Sequence, residues 1–125
     1  MAAKRRELEV IKTPSQGGAQ SLSVRGSISR DRASQHPDPL DGLLDSHGHA
    51  GTVLLNLMEA DLIDSSGYSW LLNHNSSFRQ KGGTLVLHSI PPLVMQVLAM
   101  MRAELVFRIA KDEPEALKLL QGEPA

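Results

Sequence analysis

The sequence predicts an α/β fold, a mixed four- to five-stranded sheet with helices mainly on one face. Three observations lead there. Thr52–Leu57 (Thr-Val-Leu-Leu-Asn-Leu) is a near-continuous apolar run, the pattern of a central strand buried on both faces. After residue 38, strand-like and helix-like segments alternate, which implies parallel strands joined by right-handed crossovers. Before it, two alternating segments flank the turn-forming residues Pro14, Ser15, Gln16, Gly17 and Gly18, which reads as a hairpin.

The elements follow in order. Residues 6–13 alternate imperfectly and form a first strand. Residues 20–28 alternate through Leu22, Val24 and Ile28 and form the second. Residues 29–37 are polar and make a flexible connection over about 29–38. Asp38-Pro39 reads as an N-cap followed by proline at the first helical position, so Leu40, Leu43 and Leu44 fall on a short helix over 39–46. The buried strand 52–57 follows, and Met58–Asp64 leads out of it. From Ser65 the period becomes helical, with Tyr68, Leu71, Leu72 and Phe78 near one stripe. Trp70 falls off that stripe and is either a core residue or an exposed partner contact. Gly82-Gly83 stops the helix. Thr84–Leu87 is a short strand. Pro91-Pro92 opens a helix with Leu93, Val94, Val97, Leu98 and Met101 inward. Leu105–Ala110 is the last strand, and Asp112 begins a helix carrying Ala116, Leu117 and Leu120. The expected order is β-β-α-β-α-β-α-β-α in a single domain over 1–125, with its core at about 6–121.

Composition narrows the function. The 125 residues suffice for a core without covalent staples, and the absence of cysteine excludes disulfides, thiolate metal sites and cysteine nucleophiles. Seven basic and six acidic residues lie in 1–50, and six basic and eight acidic in 51–125. Neither half has the cationic excess that nucleic-acid backbones require. No signal-like or membrane-spanning apolar run is present, so the chain reads as cytoplasmic, with neither nucleic acid nor membrane as partner.

The sharpest local feature is Leu62-Ile63-Asp64-Ser65-Ser66-Gly67. A helix starts inside it, and Asp64, Ser65 and Ser66 are all good capping residues. Gly67, without a side chain, lets a partner's backbone approach closely. Free N–H groups at a helix start favour anions, and a phosphate there adds about −1.5 to −2 charges in a favourable dipole. By residue chemistry alone the segment is either a plain cap or a phosphorylation point.

In the order and spacing of its motifs, the stretch 52–120 resembles the STAS family, in particular bacterial anti-sigma factor antagonists (anti-anti-sigma factors). The residues that carry the likeness are the apolar strand ending in Asn56-Leu57, Asp64-Ser65-Ser66-Gly67, the helix closed by Lys81-Gly82-Gly83, the strand Thr84–Leu87, the Pro91-Pro92 helix and Asp112-Glu-Pro-Glu-Ala-Leu117. The resemblance implies a protein-binding module of transcription regulation that is not an enzyme and needs no cofactor. Its implied partners are a serine kinase that doubles as an anti-sigma factor, and a phosphatase that resets the switch. It further implies that Ser65 is the phosphoacceptor, that Ser66, Gly67 and Tyr68 line the docking surface, and that Asp64 supports the turn. The family usually has an acidic residue after the second strand where this chain has Ser29, which places Ser29 at the partner surface. The alternative is a scaffold STAS subunit of a multiprotein signalling complex that is not phosphorylated.

Other constellations are weaker. His47 and His49, with His36 and His74, form no preformed metal site by spacing, and no third ligand is placed, so none is expected. Ser65 as a hydrolase nucleophile lacks the glycine-flanked elbow. Met95, Met100 and Met101 read as core packing.

Overall fold

The computed structural model describes residues 7–29 and 38–120. Five strands form one sheet in sequence order: β1 (Glu9–Gln16), β2 (Ala19–Ile28), β3 (Thr52–Ile63), β4 (Thr84–His88) and β5 (Arg108–Ala110). β1 and β2 pair antiparallel, and β2 through β5 pair parallel. The mixed sheet agrees with the sequence reading. The connection 30–37 lies outside the described residues.

Three helices follow: α1 (Ser65–Gln80), α2 (Pro92–Met100) and α3 (Glu113–Leu120). Side chains alternate across β3. Val53, Leu55 and Leu57 join the main core with Leu71 and Phe78 of α1 and Val94 and Leu98 of α2. Leu54 faces the other way, with Ala19, Val86 and Ala110 against Ala116 of α3. Two helices thus cover one face and the shortest covers the other. α1 ends as expected at its glycines. Gly82 takes a positive φ of 80°, Gly83 N–H donates to Phe78 C=O at 2.7 Å and Gly82 N–H to Arg79 C=O at 3.3 Å. These two bonds are the Schellman arrangement.

Four expectations are corrected. No α-helix forms over 39–46. The segment holds two 3₁₀ turns, Asp41–Leu43 and Gly48–Ala50. Its bonds close over three residues (Leu43 N–H to Leu40 C=O, 3.0 Å), and the Gln20 side-chain amide takes the Leu43 carbonyl and the Asp45 N–H that would have extended a helix. β3 does not end at Leu57. Its second half stays paired with β2 through Arg25↔Glu59, Gly26↔Ala60 and Ile28↔Ile63, beyond the reach of β4. β5 begins at Arg108 because the N–H groups of Val106 and Phe107 both donate to Ala103 C=O, at the end of the 3₁₀ turn Ala103–Leu105, and are lost to the sheet. In α2, Leu93 is 60 % exposed, and Met101 lies past the helix end, also exposed. Only the Val94/Leu98 line, with Val97 partly covered, faces the core.

This geometry separates two chemically identical truncations on α2. Leu98→Ala should cost about 3 kcal/mol of unfolding free energy and Leu93→Ala less than about 0.5 kcal/mol, measured by urea denaturation. Equal costs would contradict the placement of α2.

Candidate functional site at the start of helix α1

The site grows out of the parallel pairing of β2 and β3. Ile28 is registered against Ile63, so both strands end side by side. The chain leaves β3 at Asp64, whose N–H donates to Ile28 C=O at 3.3 Å, and enters α1 at once. Asp64 is extended (φ −113°) and caps the helix: its Oδ1 accepts from Gly67 N–H at 2.8 Å and from the Ser66 hydroxyl at 2.7 Å. Burial is the largest single influence on this carboxyl and acts upward. The Ser66 hydroxyl and the converging backbone N–H groups together outweigh it and hold Asp64 below the usual carboxylate range.

Ser65 is the first helical residue and is exposed. Its carbonyl accepts from the Ser69 hydroxyl one turn on, at 3.1 Å. Ser66 is half-buried. Ser29, half-buried and directly after Ile28, stands at the same end of the sheet. Asp64, Ser65, Ser66 and Ser29 therefore share one small polar surface at the helix mouth.

Two sequence-predicted partner residues are placed otherwise. Gly67 is buried, and a Cβ there would lie 1.9 Å from the Ile28 carbonyl oxygen. The backbone that approaches this glycine belongs to β2 of the same chain. Tyr68 is only 6 % exposed, packs edge-on against Phe107 and sits 3.5 Å from the Met101 carbonyl through its hydroxyl. Position 68 faces the core along with Leu71 and Phe78, so its ring belongs to the core.

A family model described as "Mlab, STAS domain" matches residues 11–107, more than three-quarters of the chain. The chain belongs to the STAS domain family. Solved STAS structures share the fold. An anti-sigma factor antagonist from Mycobacterium paratuberculosis has a TM-score of 0.71 at 14 % identity, over 92 % of this chain and 95 % of that one. An anti-sigma-factor antagonist (STAS) domain protein from Planctomyces limnophilus has 0.69 at 16 %, over 90 % and 98 %. The antagonist SpoIIAA in its unphosphorylated form has 0.61 at 15 %, over 93 % and 99 %. At these identities the likeness is one of fold. No curated protein matches the chain significantly. Among the described residues of this STAS domain, no helix is long and apolar enough to cross a membrane.

The STAS helix α1 carries a second polar centre that sequence reasoning missed. Trp70, which the sequence left as either core or exposed contact, is 6 % exposed and so belongs to the core, and its Nε1–H donates to Asp38 Oδ2 at 2.8 Å. His74, one turn on, places Nε2 3.1 Å from both Asp38 oxygens. Asp38 Oδ1 also accepts from Leu40 N–H at 2.8 Å, a local turn just ahead of the first 3₁₀ turn, whose cap position is Leu40; the helix that Asp38 was expected to cap does not form. Burial, the largest single influence, pushes its carboxyl upward. The hydrogen bonds from His74, Leu40 and Trp70, together with the charge His74 carries when protonated, win and hold it at about 2. His49 reaches across to His74, Nε2 to Nδ1 at 3.2 Å. Burial first, then the neighbouring His74, hold His49 below its ordinary value against the opposing pull of Asp41. The only hint in sequence was the recurrence of Trp70 and His74 one turn apart, and nothing there named Asp38 as their acceptor.

Gly67→Ala should destabilise the domain by about 3 kcal/mol in urea denaturation, since β2 backbone must move to admit the methyl group. A variant as stable as the parent would refute the close approach. For Asp38, the folded carboxyl lies below its unfolded value of 3.8. Its contribution is therefore complete above that value and fades as pH falls from about 3.8 towards about 2. Asp38→Asn should lose about 2 kcal/mol at pH 7 and flatten the stability profile across that acid window.

Proposed function

We propose that this STAS domain is an anti-sigma factor antagonist whose partner binding is switched by phosphorylation of Ser65. The observation that carries the reading is the Ser65 hydroxyl, exposed on the first residue of α1 beside the Asp64 cap. A kinase can reach it without unfolding anything. Asp64 already satisfies Gly67 N–H, so a phosphate on Ser65 leaves the cap intact. The added charge lies near the helix N-terminus, where the dipole tolerates it, and next to the Asp64 carboxylate, which repels it outward. The phosphate thus changes the surface a partner meets more than it changes the fold.

The partner in this reading is a serine kinase that acts as an anti-sigma factor, with a phosphatase to restore the hydroxyl. Asp64, Ser66 and Ser29 form the polar contact around Ser65, while Gly67 and Tyr68 hold the frame behind it. The domain acts by binding, in the cytoplasm, and the kinase brings ATP and its metal. The antagonists that share the fold support this reading, SpoIIAA being described in its unphosphorylated form. The second reading, an unphosphorylated STAS subunit of a larger complex, draws on the family description, which names Mlab and no antagonist.

Incubation with the ATP-binding anti-sigma kinases of the same genome, followed by peptide mass spectrometry, should find phosphate on Ser65 and none after Ser65→Ala. Ser65→Asp should weaken binding to that kinase at least tenfold, while Ser65→Ala should bind as the parent does. Tight complex formation indifferent to both substitutions, with no phosphate found, would establish the scaffold instead.

A further inference from the structure

Away from the helix mouth, three side chains from separate parts of the chain converge. Asp41 comes from the first 3₁₀ turn, His49 from the second and His74 from the middle of α1. One atom of each faces the same point. His49 Nε2 and His74 Nδ1 are 3.2 Å apart, His49 Nε2 and Asp41 Oδ1 are 3.4 Å apart, and His74 Nδ1 and Asp41 Oδ1 are 3.7 Å apart. We propose that Asp41, His49 and His74 form a binding site for a divalent transition-metal ion of the zinc class, which clamps the β2–β3 connection onto α1.

The distances carry the proposal. Ligand atoms on a tetrahedral zinc, with bonds of roughly 2.0–2.1 Å, stand about 3.3 Å from one another. The three observed separations bracket that value. A circle through the three atoms has a radius of about 2.0 Å, so an ion placed just off their plane reaches all three at bonding distance with little movement. The imidazole rings are inclined by only 25°, with centroids 5.4 Å apart. Two imidazoles meeting at one tetrahedral ion have centroids about 5 Å apart.

The surroundings are those of a held ligand. His74 is tied at its other nitrogen, Nε2, to the Asp38 carboxylate, and Asp38 is fixed by Trp70 Nε1–H and Leu40 N–H. A carboxylate behind a histidine sets its tautomer and ring direction. Here it puts the proton on Nε2 and turns the Nδ1 lone pair towards His49 and Asp41. The His49 ring is braced edge-on by Phe78 at 4.8 Å between centroids. The ligand atoms thus sit on braced side chains, the His74 side chain being 6 % and the His49 side chain 17 % exposed.

The Asp41 side chain is 52 % exposed and leaves one side open, where water completes the fourth position. His49 Nε2 and His74 Nδ1 lie at hydrogen-bonding distance, 3.2 Å. A metal ion takes both nitrogens through their lone pairs, so any proton held between His49 Nε2 and His74 Nδ1 is released to solvent on binding. Two nitrogens and one carboxylate oxygen suit zinc, copper, nickel or cobalt and disfavour magnesium and calcium, which prefer oxygen throughout.

The test uses the untagged, full-length protein stripped of metal and titrated with zinc in competition with a chromophoric chelator. The parent should take up one equivalent. Asp41→Ala and His49→Ala should each weaken binding at least tenfold. His47→Ala should not, because that side chain is largely exposed and turned towards Asp45. Far-UV circular dichroism establishes that each variant is folded, and zinc should raise the parent's melting temperature without moving that of either ligand variant. ¹⁵N spectra of the imidazoles should show His49 and His74 shifted by zinc and His47 unmoved. Parental affinity in both folded ligand variants, or binding lost only in His47→Ala, overturns the site. Neither result touches Ser65, whose phosphorylation is read separately.

Discussion

The candidate site of this domain depends on a close approach that only a glycine permits. The first turn of α1 rests on the last carbonyl of β2, with Asp64 N–H bonded to Ile28 and Gly67 against the same oxygen. Ile28 is itself fixed by its register with Ile63. Two parallel strands therefore decide where the helix starts, and the helix start decides where Ser65 stands. A residue with any side chain at 67 would lift the helix from the sheet and move the hydroxyl with it. The site is rigid because backbone positions it, and its exposed groups can differ in charge without altering the frame.

The same economy governs the two carboxylates that matter most. Asp64 and Asp38 are both partly withdrawn from water, which by itself favours the neutral form. In each case converging donors reverse that preference. Asp64 uses backbone and a neighbouring hydroxyl, all local, and so makes a cap. Asp38 uses Trp70 and His74, more than thirty residues away, and so makes a tie between layers. Because the described part of the β2–β3 connection, from residue 38 on, contains no α-helix, such ties replace the apolar stripe that a crossover helix would have supplied there. Gln20 adds another by engaging Leu43 and Asp45.

That replacement explains why polar side chains gather under α1. A crossover helix would have covered Trp70 and His74 with leucines. The two 3₁₀ turns instead bring Asp38, Asp41 and His49 over them, with Leu40 alone fully buried among the described residues of the connection. The helix therefore has two chemically distinct parts: its N-terminus faces solvent with serines, and its middle faces a histidine–carboxylate cluster.

Local order left clear marks in the sequence. The apolar run at 52–57, the helical period after Ser65, the glycine pair closing α1 and the Asp64 cap are all set by neighbours within a few residues, and each has its place in the fold. The element bounds that failed were settled by competition for single backbone groups. Ala103 C=O took the N–H groups that would have begun β5 early, and the Gln20 amide ended the turn that might otherwise have wound into a helix. The exposure of Ser65 follows from its place at a helix start, which spacing reveals. The burial of Tyr68 and Trp70, the strand behind Gly67 and the meeting of Asp41, His49 and His74 do not follow from spacing at all. They depend on which distant segment packs against α1, and that is fixed only when strand register and the path of the connecting loop are fixed together.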